Sequence, residues 1–141
     1  MSTRTPYDAL ERMQDRAVDE IQVAIGVELD QLGRAVRQAQ AIDAEITAAR
    51  ASLLDDPLMD AAPFLRATRV RRAAAAAEQT ALDANVARLR DEAMVAFSAL
   101  SATREAVSGF RTATMRAALG AEQAMLDDLS ATAHHRTRSR S

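Results

Sequence analysis

Apolar residues recur every seven positions through the first third of the chain, at Val18, Ile25, Leu32, Ala39, Ile46 and Leu53. Ile21, Ile42 and Ala49 lie three positions after members of that series, and Leu29 and Val36 lie four after. A spacing of three and four marks one face of a helix that packs against another helix in a coiled coil. Upstream, Tyr7, Leu10, Met13 and Ala17 continue the stripe in a shifted phase, which predicts a stutter near Asp15. A second series runs through Ala75, Leu82, Leu89, Ala96, Phe110, Ala117 and Ala124, with Val86, Ala93, Leu100, Val107 and Ala121 as its companion line and Thr103 interrupting it. Near its end the stripe drifts onto Met115, Leu119, Leu126 and Leu129. No segment alternates apolar and polar residues as a strand does.

The two series are separated by Leu54-Asp55-Asp56-Pro57-Leu58-Met59-Asp60-Ala61-Ala62-Pro63, which holds two of the three prolines. Proline lacks an N–H and clashes with the preceding turn, so it closes one helix and can open the next. Asp56 before Pro57 has the form of an N-cap. At the other end, Thr5-Pro6-Tyr7-Asp8 reads as a helix start, with Thr5 as cap and Asp8 three residues on, as in a capping box. The pattern therefore predicts helix 1 over about 6–53, a bend at 54–63 and helix 2 over about 64–133. A polar, basic tail at 134–141 is expected to be disordered. The expected fold is all-α: two long helices of unequal length in an antiparallel coiled-coil hairpin, one domain over 5–133. A kink in one continuous helix is the alternative.

Unequal arms have a consequence. Helix 2 outruns helix 1 by about twenty residues at 1.5 Å each. The overhang at 110–133 carries an apolar stripe with no internal partner, which implies cover by another protein or by a second copy of this chain. Gly26 and Gly33 fall beside the first stripe, either as points of close approach or as tolerated interruptions of a long helix.

Composition narrows the picture. Alanine is abundant while the chain has three Phe, one Tyr and no Trp, so the helices bury a thin seam. Cysteine is absent, which excludes disulfides and thiolate chemistry. No apolar run approaches the roughly 18–20 residues that span a membrane, and the N-terminus lacks a signal-peptide pattern, so a cytoplasmic location is expected. The formal net charge of −2 speaks against wholesale nucleic-acid binding. The first 56 residues lean acidic and the rest basic, which favours antiparallel pairing of the arms, although surface ion pairs contribute only about 0–1 kcal/mol each.

Catalytic patterns are missing. The two histidines, His134 and His135, are adjacent in the tail, so neither a diiron Glu-x-x-His pattern nor a serine–histidine pair can be built on the helices. The glycines are single, which rules out a phosphate or dinucleotide loop. Asp55-Asp56, Asp91-Glu92 and Asp127-Asp128 read as solvated faces or caps rather than acid–base pairs. No enzymatic activity and no cofactor or metal are expected. Arg66, Arg69, Arg71 and Arg72 form a basic cluster that suits a solvated face, a protein-docking patch near the bend or phosphate contacts; without interleaved aromatics, nucleic acid is the least favoured partner.

Three stretches carry a resemblance: Tyr7-Asp8-Ala9-Leu10-Glu11-Arg12-Met13, Phe64-Leu65-Arg66 after the bend, and Ala121-Glu122-Gln123-Ala124-Met125-Leu126-Asp127-Asp128-Leu129. With the length and architecture, they resemble the FliJ family of the flagellar type III export apparatus over residues 5–135. The resemblance implies a non-enzymatic cytoplasmic protein, similar to the central stalk of rotary ATPases, associated peripherally with the inner-membrane export apparatus. It implies roles in flagellum biogenesis and protein transport, and through them in chemotaxis. The implied partners are the flagellar export ATPase, the cytoplasmic domain of the export-gate membrane protein and export chaperones; self-association is a further possibility. The family's gate-contacting pair maps onto Phe64 and, where a leucine is usual, onto Thr68, with Leu65 and Val70 as apolar neighbours. The implied ATPase end comprises Leu10, Met13, Met115, Leu119, Leu126 and Leu129. Injectisome stalk proteins share this architecture, and an unrelated scaffolding coiled coil would share its composition.

Overall fold

The computed structural model describes residues 4–139. It consists of two α-helices, α1 (Asp8–Asp55) and α2 (Ala62–Arg138), with no strand among the described residues. The fold is the expected all-α helical hairpin. Its contacts group into two units, one built from residues up to Asp15 together with those from Ser98 onward, the other from Arg16–Phe97.

The start of α1 is fixed by the Thr5–Asp8 pair. The Thr5 N–H donates to Asp8 Oδ2 at 3.0 Å and the Thr5 hydroxyl donates to Asp8 Oδ1, so the N3 side chain reaches back to the cap as in a capping box. These two bonds, then Arg111 and Arg12, hold the Asp8 carboxyl below its ordinary range. A carboxylate depressed by folding stabilises the fold above its unfolded value and loses that contribution as pH falls through its folded value. The first turn of α1 is therefore expected to fray in acid. Asp8→Asn should remove that pH dependence, which amide exchange at Ala9–Arg12 measures.

In the connection, Leu58 N donates to Asp56 Oδ1 at 3.1 Å and Met59 N to Asp56 O at 3.2 Å. Asp56 thus caps a single turn around Pro57 rather than a helix. The cap of α2 is Asp60, whose Oδ1 accepts from Ala62 N at 3.1 Å. Pro63 then sits in the first turn, where its missing N–H costs no hydrogen bond.

Next to this connection the helices are antiparallel. Arg72 Nε meets Asp43 Oδ1 at 2.8 Å and Arg71 Nη1 meets Glu45 Oε2 at 3.0 Å. Ile42, only 1% exposed, packs with Ala39, Ala75 and Ile46. From Ala61, just before α2, the covered positions fall on a seven-residue line through Thr68, Ala75, Leu82 and Leu89. Leu65, Arg72 and Gln79 are half-buried on the companion line that leads to buried Val86.

The first inner line of α1 is the expected one, Val18, Ile25, Leu32, Ala39, Ile46 and Leu53, all buried or half-buried, and the second differs in part. The second line is Gln14, Ile21, Glu28, Ala35, Ile42 and Ala49, all at least half-buried and regular at seven residues. Leu29 lies exposed beside it. Gln14 Oε1 and Glu28 Oε2 are covered and bond to no other described residue. The expected stutter near Asp15 is absent: Glu11 and Gln14 keep the inward phase, while Tyr7, Leu10, Met13 and Ala17 are exposed. Glu11 lies seven residues before Val18 and Gln14 seven before Ile21, so the inner lines run on unshifted, and Glu11 also meets Arg104 at 3.3 Å.

Gly26 is a tolerated interruption and not a point of close approach, because a Cβ built there meets nothing within 4 Å. Gly26→Ala should accordingly stabilise the chain by up to about 1 kcal/mol through helix propensity alone, seen as a higher midpoint in urea unfolding.

The tail also departs from expectation. Helix α2 continues through His134 and His135 to Arg138, while Arg140 and Ser141 lie outside the described residues. Nothing after Gly120 breaks the helix, and Thr132 and Thr137 hydroxyls bond back to Asp128 O and Ala133 O. His135, Arg136 and Arg138 stand in the last turn, where positive charge complements the helix dipole.

Candidate functional site

Two surfaces gather the residues singled out in the sequence. The first belongs to the unit containing the start of α1. There Arg104 forks between two acids, with Nε 3.3 Å from Glu11 Oε1 and Nη2 2.8 Å from Asp15 Oδ1. Arg111 Nη2 stands 3.9 Å from Asp8 Oδ1. Rising numbers on α1 meet falling numbers on α2, so the pairing is antiparallel here too. Leu100, Thr103 and Val107 are buried, and Thr103 holds its place in the seam instead of interrupting it.

Asp8 is the first residue of α1, and Arg111 stands beside it. Residues 112–138 of α2 therefore extend about 40 Å beyond that pairing. Every described residue from Ser108 to Ser139 is exposed. Met115, Leu119, Met125, Leu126 and Leu129 are each more than half exposed. Met115 also lines a groove with Glu11, Arg104, Val107, Ser108, Arg111 and Thr112. Leu10 and Met13 are exposed on α1. All six residues expected at the ATPase end thus lie on the surface of one unit. Glu122 interrupts their stripe one turn before Leu126, and Met125, left out of that set, adds to it.

The second surface surrounds the bend. Leu58 is almost wholly exposed, Leu54 strongly so, and Met59 and Phe64 about half. Met59, Ala61 and Phe64 line a shallow groove with Glu45, Ala48, Ala49, Ser52 and Asp60. Leu65 is half-buried. Thr68 is not available: it is 1% exposed, and its hydroxyl donates to Phe64 O at 2.7 Å. A threonine in the seam satisfies its hydroxyl on the preceding turn, which a solvated docking residue need not do. Of the three residues mapped to the gate contact, Phe64 is the one presented outward, and Met59 is the apolar neighbour the sequence did not point to. The arginine cluster divides as well. Arg71 and Arg72 tie α2 to α1, whereas Arg66 and Arg69 are exposed and make no ion pair among the described residues.

No described group of three or more His, Asp or Glu side chains is placed to hold a metal ion, and no described helix is long and apolar enough to cross a membrane. Comparison with protein-family models, curated proteins and solved structures finds no match.

Proposed function

We propose that this chain is a non-enzymatic, stalk-like component of the flagellar type III protein export apparatus. It would couple the export ATPase ring to the export gate and assist export chaperones. The observation that carries the reading is the exposed part of α2 beyond Arg111, with an apolar stripe that no residue of α1 covers. A helix without tertiary cover draws little stability from packing, so a stripe of this kind is best accounted for by a partner surface. The resemblance of the Tyr7–Met13 and Ala121–Leu129 stretches to the FliJ family points to the ATPase as that partner. Phe64 and Met59 at the bend supply the apolar contact for the gate.

Such a mechanism needs no reacting group. A helical stalk inside a ring presents different side chains to each subunit, and it couples sites by binding the ring's conformations unequally. The work would be done in the cytoplasm at the inner-membrane periphery.

The test is the hydrolysis rate of the purified export ATPase with and without this chain, together with a pull-down of the two. Stimulated hydrolysis with co-purification is expected. Neither binding nor a change in rate at saturating chain would rule the reading out.

A further inference from the structure

We propose that the exposed extension of α2 also pairs with the same stretch of a second copy of this chain, in antiparallel orientation. Between Arg111 and Ala133 the charges along it are segregated, with a second basic block, Arg136 and Arg138, only beyond that stretch. Arg111 and Arg116 are followed by no acid until Glu122. Glu122, Asp127 and Asp128 then come with no base between Ala117 and Ala133. Among the described residues Arg116, Asp127 and Asp128 form no ion pair; Asp127 only accepts a hydrogen bond from Gln123 Nε2 at 3.0 Å.

Two such helices laid antiparallel, with their two-fold axis at Glu122–Gln123, bring Arg116 of one copy within a turn of Asp127 and Asp128 of the other. Symmetry repeats the pairing. In the same register Leu119 stands level with Leu126 of the second copy, and Met115 lies within a turn of its Leu129. Parallel pairing would set Arg116 beside Arg116 and the acidic block beside itself, which is unfavourable. About this axis the two extensions overlap over residues 112–133, a strip roughly 33 Å long and 10 Å wide, which is smaller than a stable interface needs, so the dimer is weak, in the micromolar range. Dimerisation and binding of the export ATPase would cover the same side chains and exclude each other.

The absence of cysteine from the chain gives a direct test. Gln123→Cys lies beside the two-fold axis, so mild oxidation should convert it to a covalent dimer. Ser130→Cys lies about 20 Å from its counterpart in this arrangement and should stay monomeric. Equal cross-linking at both positions means parallel or non-specific association and overturns the proposal. So does a wild-type chain that sediments as a monomer throughout the micromolar range. Arg116→Glu should weaken the dimer about tenfold by turning two attractive contacts repulsive. Adding Asp127→Arg and Asp128→Arg to the same chain should restore it. All three positions are exposed, so circular dichroism should show unchanged helicity. These outcomes do not depend on the stalk reading: a cross-linking dimer that leaves ATPase hydrolysis unaltered would sink the stalk and keep the dimer, and a monomer that stimulates hydrolysis would do the reverse.

Discussion

Replacing Ile42 by aspartate is expected to abolish cooperative unfolding and much of the helical signal at 25 °C. Ile42 is the largest fully buried apolar side chain and packs with Ala39, Ala75 and Ile46. Truncating such a side chain costs about 2–5 kcal/mol, and a buried unpaired carboxylate adds several more. Together these rival the whole stability of a typical domain, about 5–15 kcal/mol. The thin seam sharpens the effect, since the alanines at 39 and 75 have no spare bulk with which to close over a charge. Two controls separate this from a general intolerance. Ile42→Val should cost only about 0.5–1.5 kcal/mol. Val23→Asp, on an exposed position, should leave the unfolding midpoint nearly unchanged. Thermal unfolding followed by circular dichroism reads all three.

The combined change Leu126→Asp and Leu129→Asp is expected to do the opposite: unfolding hardly moves, while binding to the export ATPase falls about a hundredfold or more. Both leucines are well over half exposed and touch no part of α1, so their loss opens no cavity. The stability cost reduces to helix propensity, about 0.5 kcal/mol per site. At an interface, by contrast, a few apolar anchors carry most of the binding energy, at about 2 kcal/mol or more each, and a charge buried there is worse than a truncation. Titration of the ATPase with wild-type and variant chains, beside their melting curves, measures both quantities. A parallel loss of stability and binding would mean that the stripe packs within the chain.

The two-helix plan was legible because long heptad series and a proline-bearing connection are strong signals. The inner lines were harder, because some of their members are polar. Glu28 and Gln14 complete a regular seven-residue line, yet their chemistry makes Leu29, Leu10 and Met13, all exposed, look like the better seam. Thr68 and Thr103 mislead in the same way: both are buried in the seam, and the Thr68 hydroxyl is satisfied on its own helix, so polarity alone does not place a residue outside. Pro57 drew the cap to Asp56, while Asp60, with no proline beside it, caps α2. The basic tail looked like coil because its composition is polar, although positive charge at a helix C-terminus favours the helix. The overhang followed from arm lengths alone, whereas what covers it depends on surfaces of other molecules and left only a resemblance in the sequence.

The central claim is that the part of α2 beyond Arg111 is held by the export ATPase. Amide hydrogen exchange of residues 112–138, in the free chain and with saturating ATPase, tests it most directly. The free chain, at a concentration too low to self-associate, should exchange faster there than around Ile42 and Leu82, since it lacks helix–helix cover. Added ATPase should slow exchange across 112–138 and leave the bend unchanged. Unaltered exchange in that stretch, with protection appearing elsewhere, would contradict the account.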